Sequence, residues 1–383
     1  MKVLLIDAAF SAKPIYDYLI DVGCEVWTIG NRPHDQLALV NATRWIEGDY
    51  SDVSFVMQCV KNYGFDRVVP GCTDVSMSTF AQLSIDSCYH YSFEVDRLLN
   101  YKVLFRKLCF ELGLPSPRFI ERKEFPVVGR YICKPADSYS GRGVSIFDGL
   151  DRLACERSFE LARRHSPTSQ IICEEFIDGQ LYSYTAFLEA NKVVKAFTVI
   201  EGSRYDQFAV DTSYLCVDIA DHHLTELQTA VESLSRHLSL SDGLVHTQFV
   251  KSGERLAILE MTRRCPGDLY SLLIEKSTGY SYAGKYASYF IGKNLTTNQQ
   301  IRRFVLRHTL KQLGSKNFGL IEHLPKHNFL ELIPVVRLGE PIDPLSYSRV
   351  ALSFSEVATE TELKALYAEL IGNCDAVDFA GHV

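Results

Sequence analysis

The chain has 383 residues, enough for about two or three domains, which excludes a peptide hormone or a minimal module. Its composition, 46% apolar and 23% charged, is typical of a folded globular protein and excludes a disordered or collagen-like chain. A net charge of −7 provides no basic field that would attract nucleic acid or an anionic membrane. We therefore expect a small-molecule or protein partner.

The apolar runs are short, and the eleven cysteines include no CxxC pair. Runs such as Val3 to Ile6 fall far below the roughly 18 residues that cross a bilayer. Asp7 interrupts that run, so we expect neither a membrane span nor a secretory signal. Most cysteines, Cys133 and Cys173 among them, lie in apolar runs, which is typical of reduced core thiols. This usage predicts a cytoplasmic protein.

From Lys2 to about Ser84 the chain alternates short β-branched runs with helical stretches, which predicts an open parallel sheet wrapped by helices. The turn after the first strand, Asp7 to Ala12, lacks the G-x-G-x-x-G pattern, which argues against hydride chemistry on a dinucleotide. The loop Pro70 to Asp74 follows the last strand, at the edge where such sheets bind ligands. Alternatively, Asp74 only caps the next helix. The runs are Val3–Ile6, Ile15–Ile20, Val26–Ile29, Val53–Val60 and Arg67–Pro70.

The middle of the chain predicts an amphipathic helix followed by a strand-rich lobe. The helix has its apolar face on Leu98, Tyr101, Phe105, Leu108, Cys109 and Leu112 and ends at Gly113. Strands are predicted at Tyr131–Lys134, Val144–Phe147, Ile171–Ile177, Tyr182–Leu188 and Val193–Ile200. A helix over Leu224–Leu238 precedes two strands, Leu244–Val250 and Leu256–Met261, and a mixed tail after Lys293 ends in a helix around Leu363–Leu370.

A strand lysine and a glycine-containing loop suggest a phosphate site. Lys134 ends its strand, and the segment Ser138 to Gly143 that follows contains small residues that let backbone N–H groups approach a phosphate. An ordinary hairpin connection is the alternative. Lys102 flanks the buried face of its helix, where a lysine usually snorkels to solvent. Glu174 and Glu175 end a later strand, where paired glutamates are more often simply solvated.

The most informative stretch holds Gln248 and Glu260 on two consecutive strands joined by the turn Lys251 to Glu254. We expect their side chains to face each other across an antiparallel pair, which suits a magnesium ion bridging phosphates. The alternative is a solvent-facing polar pair. A carboxylate in an apolar strand is costly without a cation, and Arg264 or the metal would supply it. His246 is a candidate base, or a packed core histidine.

Together these motifs resemble the ATP-grasp superfamily, in particular its carboxylate-amine ligases, over about residues 1–290. The order is a helix lysine before Gly-Leu-Pro, a strand lysine with a glycine-containing loop, a Glu-Glu-Phe-Ile-x-Gly hinge, a ligand strand, and Glu-x-x-x-Arg before Pro-Gly. The resemblance implies nucleotide contacts from Lys102, Lys134, Ser138, Ser140, Gly141, Arg142, Gly143, Glu174, Glu175 and Ile177. It also implies catalytic roles for Lys134 and Arg264 and magnesium ligands in Glu260 and Gln248, with Mn²⁺ as the alternative ion.

The resemblance implies an α/β fold in three parts. We expect a parallel-sheet domain over 1–98, an ATP-grasp α+β body over 99–295 with a mobile lid at about 119–176, and a mixed C-terminal extension over 296–383. Three positions depart from the family pattern. Gln248 stands where an acidic ligand is usual, Thr262 where an asparagine is usual, and Leu181 where many relatives have a ribose-binding glutamate.

The activity implied is ATP-dependent ligation. ATP would phosphorylate a carboxylate, and an amine would displace phosphate from the acylphosphate; the two substrates would be small molecules such as amino acids. A homodimer is left open, and neither nucleic acid nor a membrane is an expected partner. Gln248 and Thr262 keep a degenerate ATP-binding regulator as an alternative, and a carboxylase-like or thiol-acylating relative is another.

Overall fold

The computed structural model describes residues 1–85, 87–138, 141–204, 208–295, 301–312, 320–321, 328–337, 339, 348–372 and 380–381. Within these ranges the strands form four sheets: one parallel sheet near the N-terminus, a large antiparallel sheet, a small antiparallel sheet and a two-stranded ribbon. No helix in the described ranges is both long and apolar enough to cross a membrane.

The N-terminal part is a parallel sheet in the order β3-β2-β1-β4, as the alternating pattern predicts. Helix α3 begins where the Asp52 side chain accepts a hydrogen bond from the Phe55 amide, and it ends at Gly64 in the left-handed conformation. The elements are β1 Lys2–Ile6, α1 Lys13–Asp21, β2 Glu25–Gly30, α2 Gln36–Val40, β3 Trp45–Glu47, α3 Val53–Tyr63, β4 Arg67–Pro70 and α4 Asp74–Gln82.

Two consecutive helices replace the single helix expected around residues 98–112. They are α5, Phe93–Asn100, and α6, Lys102–Glu111. Tyr101 between them has extended backbone angles, φ −85° and ψ 106°. Phe105, Leu108 and Cys109 of the predicted apolar face are buried, but the break makes Lys102 the first residue of its own helix.

A small antiparallel sheet in the order β6-β5-β7, covered by one helix, has an apolar core of its own. That core includes Tyr131, Phe147 and Phe159 and is separate from the clusters under the other sheets. A separate core is consistent with a lid, and its motion stays a prediction. The elements are β5 Arg130–Pro135, β6 Ser145–Asp148, α7 Arg152–Arg164 and β7 Ile171–Glu175.

The large sheet is antiparallel, with strand order β12-β11-β8-β9-β10-β13-β16-β15. Its strands are β8 Gln180–Glu189, β9 Lys192–Gly202, β10 Thr212–Leu215, β11 Gly243–Ser252, β12 Arg255–Thr262, β13 Phe304–Gln312, β15 Asn328–Pro334 and β16 Ser348–Val357; β14 Leu320–Ile321 pairs with β17 Ala380–Gly381. The helices of this part are α8 Asp221–Leu238, α9 Tyr270–Thr278, α10 Tyr282–Ile291 and α11 Glu360–Gly372.

One cluster of buried side chains joins the parallel sheet to the large sheet. It includes Leu4 of β1, Val69 of β4, Tyr286 of α10 and Leu352 of β16. Strands β13, β15 and β16, from the region predicted as a C-terminal extension, continue the large sheet. The domain boundaries at 98/99 and 295/296 stay a proposal. The ten cysteines in the described ranges are free thiols, and most are buried, as their apolar surroundings predict.

Candidate active site

A cavity of about 310 Å³ lies between the small β6-β5-β7 sheet and the β11–β12 edge of the large sheet. This volume falls in the range of roughly 300–1,000 Å³ that is typical of small-molecule sites. The predicted site residues that line it come from distant parts of the chain: Lys102, Lys134, Gly141, Glu174, Glu175, Ile177, Gln248 and Glu260. Leu181, at the position of the expected ribose contact, also lines it.

Lys102 reaches the cavity because the helix break places it at the start of α6. Its backbone N–H, which has no partner within the helix, donates to the carbonyl of Ala136 at 3.3 Å. Its Nζ donates to the carbonyl of Ser138 at 2.7 Å. Burial lowers the pKa of Lys102, an effect that the nearby Glu260 carboxylate opposes. The lysine is thus held over the start of the glycine-containing loop rather than snorkelling to bulk solvent.

Glu174 is the buried anion of the site, with 1% of its side chain exposed. Its Oε1 accepts from Arg106 Nε at 2.5 Å and its Oε2 accepts from Lys134 Nζ at 2.8 Å. Burial alone would raise its pKa, but Lys134 and Arg106 outweigh burial and hold the pKa at about 2. Glu174 is therefore not simply solvated, because its carboxylate pairs with two cations. Its predicted contact with a nucleotide stays a prediction.

Arg106 links this anion to strand β12, and the sequence analysis missed it. Its Nη1 donates to the Ile258 carbonyl at 2.8 Å and its Nη2 donates to the Leu259 carbonyl at 3.0 Å. Arg106 is four residues after Lys102, so both side chains lie on one face of α6. The four-residue spacing could have indicated that Arg106 lies near Lys102, but only the tertiary structure identifies the partners of Arg106.

Gln248 and Glu260 are opposite each other in the β11–β12 pair, as predicted. This pairing depends on a β-bulge, which their spacing in the sequence did not indicate. The two-residue turn pairs Ser252 with Arg255, and the register then shifts by one residue beyond Phe249 and Ile258. Without that β-bulge Gln248 would face Leu259. The two carbonyls that Arg106 binds belong to the bulge, so the arginine supports the register that brings the two candidate ligands together.

The donor set at this pair fits a magnesium ion. Glu260 is exposed in the cavity and offers a carboxylate. Gln248 donates its Nε2 to Oε2 of Glu201 at 2.7 Å, which leaves its carbonyl oxygen free to bind a cation. Both are the hard oxygen ligands that Mg²⁺ prefers. Burial, with Asp268 nearby, raises the pKa of Glu201 to about 7; no sequence signal distinguished this residue from the end of an ordinary strand.

The glycine-containing loop connects β5 and β6, which are antiparallel neighbours. It is therefore a hairpin loop, and at Gly141 it also lines the cavity. Gly141 and Gly143 have φ of 71° and 74°, and a Cβ on Gly143 would lie 2.5 Å from the Cβ of His165. Ser138 contributes its carbonyl to Lys102, Arg142 is exposed, and the predicted contact Ser140 lies outside the described residues.

The hinge after β7 forms one wall of the cavity. Its lining runs from Glu175 through Phe176 and Ile177 to Gly179. Oε1 of Glu175 accepts from the Arg118 amide at 2.7 Å, and its carboxylate pairs with Arg255. The Glu175 side chain thus connects the hinge to the segments of Arg118 and Arg255.

Arg264, the predicted catalytic arginine, pairs with Asp74 and not with Glu260. The guanidinium donates to both carboxylate oxygens of Asp74, with Nη2 to Oδ2 at 2.9 Å. Burial would lower the pKa of Arg264, but the Asp74 carboxylate outweighs burial and raises it. The expectation that Asp74 caps helix α4 is wrong, because Thr73 Oγ1 accepts from the Ser76 amide. Asp7 joins the same edge by accepting from the Cys72 amide at 3.0 Å.

Arg263 and His246 point away from solvent. Arg263 is 1% exposed and donates to the Tyr89 hydroxyl and the Ser241 carbonyl. Strand β12 ends at Thr262, before both arginines, and the two have different partners, since Arg264 pairs with Asp74. His246 packs edge-on against Tyr270 at 5.1 Å, and burial, helped by Arg264, lowers its pKa to about 3. Of the two interpretations of His246, the structure favours the packed core histidine.

The chain is similar in structure to several solved enzymes across nearly its whole length. Phosphoribosylglycinamide synthetase from Anaerococcus prevotii superposes with a TM-score of 0.73 at 18% identity, over 97% of this chain and 98% of that one. An L-amino acid ligase from Bacillus licheniformis gives 0.76 at 17% identity, over 96% of each chain. N5-carboxyaminoimidazole synthetase from Staphylococcus aureus, complexed with ADP, gives 0.72 at 13% identity, over 96% of each.

Sequence comparison gives a more limited match. A curated formate-dependent phosphoribosylglycinamide formyltransferase from Parasynechococcus marenigrum is 22% identical over 224 residues, which is 56% of this chain. The alignment spans 58% of that relative's length. No protein-family model matches the chain. The structural matches, together with the small β6-β5-β7 sheet, the large antiparallel sheet and the lysine-lined cavity between them, establish that the chain has the ATP-grasp fold.

Proposed function

We propose that the protein is an ATP-dependent ligase that activates a carboxylate as an acylphosphate and joins it to an amine. The observation that carries the proposal is one cavity lined by Lys102, Lys134, a glycine of the hairpin loop and the Gln248–Glu260 pair. Cations, a glycine-containing loop and oxygen ligands around one cavity suit the triphosphate and magnesium of ATP. The ligase names of several structural relatives support it.

The first step is phosphoryl transfer. A carboxylate oxygen of the substrate bonds to the γ-phosphorus as the bond to the β–γ bridging oxygen breaks, and ADP leaves. Lys102 and Lys134 neutralise the transferring charge; Lys134 uses one N–H for Glu174 and keeps two for phosphate oxygens. Because this chemistry is mainly positioning and charge stabilisation, it needs no covalent catalyst from the protein.

The second step is acyl transfer. The amine nitrogen bonds to the acyl carbon and the bond from that carbon to the phosphate oxygen breaks, which releases phosphate and one proton from the nitrogen. His246 is not assigned as the base, because a pKa of about 3 makes it a poor proton acceptor near neutral pH. Glu260 and Gln248 would hold magnesium, which when bound would neutralise negative charge on the phosphates of ATP.

We infer that the two substrates bind beside the cavity, at the edge of the parallel sheet. Asp7, Asp74 and Arg264 meet there, where the carboxyl ends of β1 and β4 approach the end of β12. If Arg264 exchanges Asp74 for a substrate carboxylate, the guanidinium can bind that carboxylate in a bidentate pair, and the Asp74 carboxylate it releases can bind an ammonium group. This mixture of charges suits amino acids, which carry both groups, as substrates.

The proposal is tested by ADP release from ATP with magnesium and a panel of single amino acids and amino-acid pairs. Hydroxylamine in a parallel reaction traps an acylphosphate as a hydroxamate, which separates activation from ligation. Lys134→Ala should reduce turnover by about one to three orders of magnitude, because it removes charge stabilisation at the transferring phosphoryl group. Lys123→Ala is the matched control, since Lys123 is 80% exposed and pairs with Glu121 on the surface.

The alternatives give different results in the same assays. A degenerate regulator, which Gln248 and Thr262 keep open, would bind ATP without releasing ADP under any mixture. A thiol-acylating relative would form hydroxamate and then consume a thiol in place of an amine, and a carboxylase-like relative would require bicarbonate. Hydroxamate formation that depends on ATP, with a product containing a new C–N bond, is the expected result.

A further inference from the structure

Two adjacent histidines at the start of α8 lie against the turn of the β11–β12 hairpin. His222 Nε2 is 3.1 Å from Oε2 of Glu254, and His223 Nε2 is 3.6 Å from the same oxygen. His222, His223 and Glu254 each offer one ligand atom, and the three atoms lie within 4.8 Å of one another. Within the described part of the chain, no other group of three or more His, Cys, Asp or Glu residues meets this distance. None of the three lines the cavity that holds Glu260.

The condition of His223 is a second, independent observation. Its side chain is 1% exposed, yet neither ring nitrogen has a hydrogen-bond partner. Buried polar atoms are nearly always hydrogen-bonded, so an imidazole buried in this way requires an explanation. Its Nε2 faces Glu254 at the surface, and its Nδ1 lies 3.9 Å from Oε2 of Glu226, one turn further along the helix.

The distances match the spacing of ligands around a small metal ion. Zinc binds imidazole nitrogen and carboxylate oxygen at about 2.0–2.2 Å, so two ligands of a tetrahedral site are about 3.4 Å apart. The two separations from Glu254 Oε2, 3.1 and 3.6 Å, lie on either side of that value. A direct hydrogen bond explains the contact of His222 but leaves His223 without a partner.

We propose that His222, His223 and Glu254 form a binding site for one divalent transition-metal ion, with Zn²⁺ as the best match. Two imidazoles and one carboxylate are typical zinc ligands, and water completes the fourth position. Metal-bound histidines usually present their second nitrogen to a carboxylate, which is the place Glu226 occupies for His223. Mg²⁺ is not expected here, because it prefers oxygen ligands.

Charge at this position is compatible with a cation. The start of a helix carries partial positive charge, which disfavours a metal ion. Three carboxylates oppose it: Glu254 as a ligand, Glu226 behind His223, and Asp221 in the first turn of α8. The ion would connect α8 to the hairpin turn, several residues along both strands from Gln248 and Glu260, so its role is structural and not catalytic.

Zinc titration of the untagged, chelator-treated 383-residue chain tests the site. His222 and Glu254 are 61% and 84% exposed, so His222→Ala and Glu254→Gln should fold normally, which their melting temperatures without metal will verify. His237→Ala is the matched control, because His237 is an exposed histidine on the same helix outside the cluster. The wild-type protein and the control should bind about one ion per chain and melt at higher temperature with zinc.

Each of the two site variants should bind zinc at least about tenfold more weakly and lose the zinc-dependent rise in melting temperature. X-ray absorption of the bound zinc should show nitrogen and oxygen neighbours at about 2.0–2.2 Å. Equal zinc affinity in wild type and both variants would overturn the proposal, because the ion would then bind elsewhere, for example at Glu260. An absence of saturable binding to the wild type would overturn it as well.

Discussion

Replacing Glu174 with glutamine tests the buried charge network most directly. The substitution keeps the shape of the side chain but removes the negative charge between Arg106 and Lys134. The pKa of Glu174 falls from 4.5 to about 2, a difference that corresponds to about 3 kcal/mol at 1.36 kcal/mol per pKa unit. The group is fully buried, so solvent screening does not reduce this value. Breaking a buried pair typically costs about 3–5 kcal/mol, in agreement.

The sign of the pH dependence follows from the direction of the shift. A carboxyl whose pKa is lower in the folded state stabilises the protein fully above its unfolded pKa of 4.5. That stability is lost as the pH falls through the folded value of about 2. The difference in the free energy of unfolding between wild type and Glu174→Gln should therefore be constant from pH 6 to 8 and become smaller below about pH 4.5.

Urea unfolding at several pH values measures this difference. With a denaturant slope of about 3 kcal/mol/M, the midpoint of Glu174→Gln should lie about 1 M below that of the wild type at pH 7. Glu175→Gln is the neighbouring comparison, because its pair with Arg255 is half exposed and should contribute at most about 1 kcal/mol. Equal midpoints for wild type and Glu174→Gln, or a difference that does not change between pH 6 and 3, would refute the reasoning.

Three further predictions concern the cavity and its surroundings. Arg264→Lys should lose much of the ligase activity, because an ammonium cannot replace a bidentate guanidinium, whereas Arg263→Lys should mainly lower the melting temperature; the reverse ranking in turnover would contradict the assignment. Gln248→Glu should lower the magnesium concentration that gives half-maximal turnover, and unchanged values together with a fully active Gln248→Ala would mean that it is no ligand. A non-hydrolysable ATP analogue should slow proteolysis near Arg142, and equal cleavage with and without it would argue against a closing lid.

The strand pattern made the architecture predictable, because each core strand carries a continuous or alternating apolar run. Lys134 could be placed in the cavity from sequence because it ends such a run beside a glycine-containing loop. The helix break at Tyr101 could not be predicted, since neither proline nor glycine interrupts the apolar periodicity there. The position of Lys102 therefore depends on tertiary contacts, among them its backbone bond to Ala136.

Residues whose roles depend on distant partners were the ones that the sequence analysis missed or misassigned. Arg106 and Glu174 are 68 positions apart in the sequence. The two carbonyls that Arg106 binds are 152 and 153 positions away from it. Asp74 was considered as a helix cap because aspartate is a favoured capping residue, but its partner Arg264 is 190 positions away. Local spacing carries no information about such pairs, whose energy comes from burial and charge in the folded state.

Because of the β-bulge in the β11–β12 hairpin, the effect of deleting a residue from β12 depends on where the deletion lies and not on which amino acid is removed. Successive side chains of a strand point to opposite faces, so deleting Met261 or Thr262, between Glu260 and the end of β12, would reverse the phase of the chain that leads to Arg264 and would separate this arginine from Asp74, while Glu260 keeps its face. A deletion between the turn and the bulge could instead be absorbed by removing the extra residue at Leu259. We therefore expect single-residue deletions in this hairpin to be tolerated on one side of Leu259 and damaging on the other, whatever amino acid is removed.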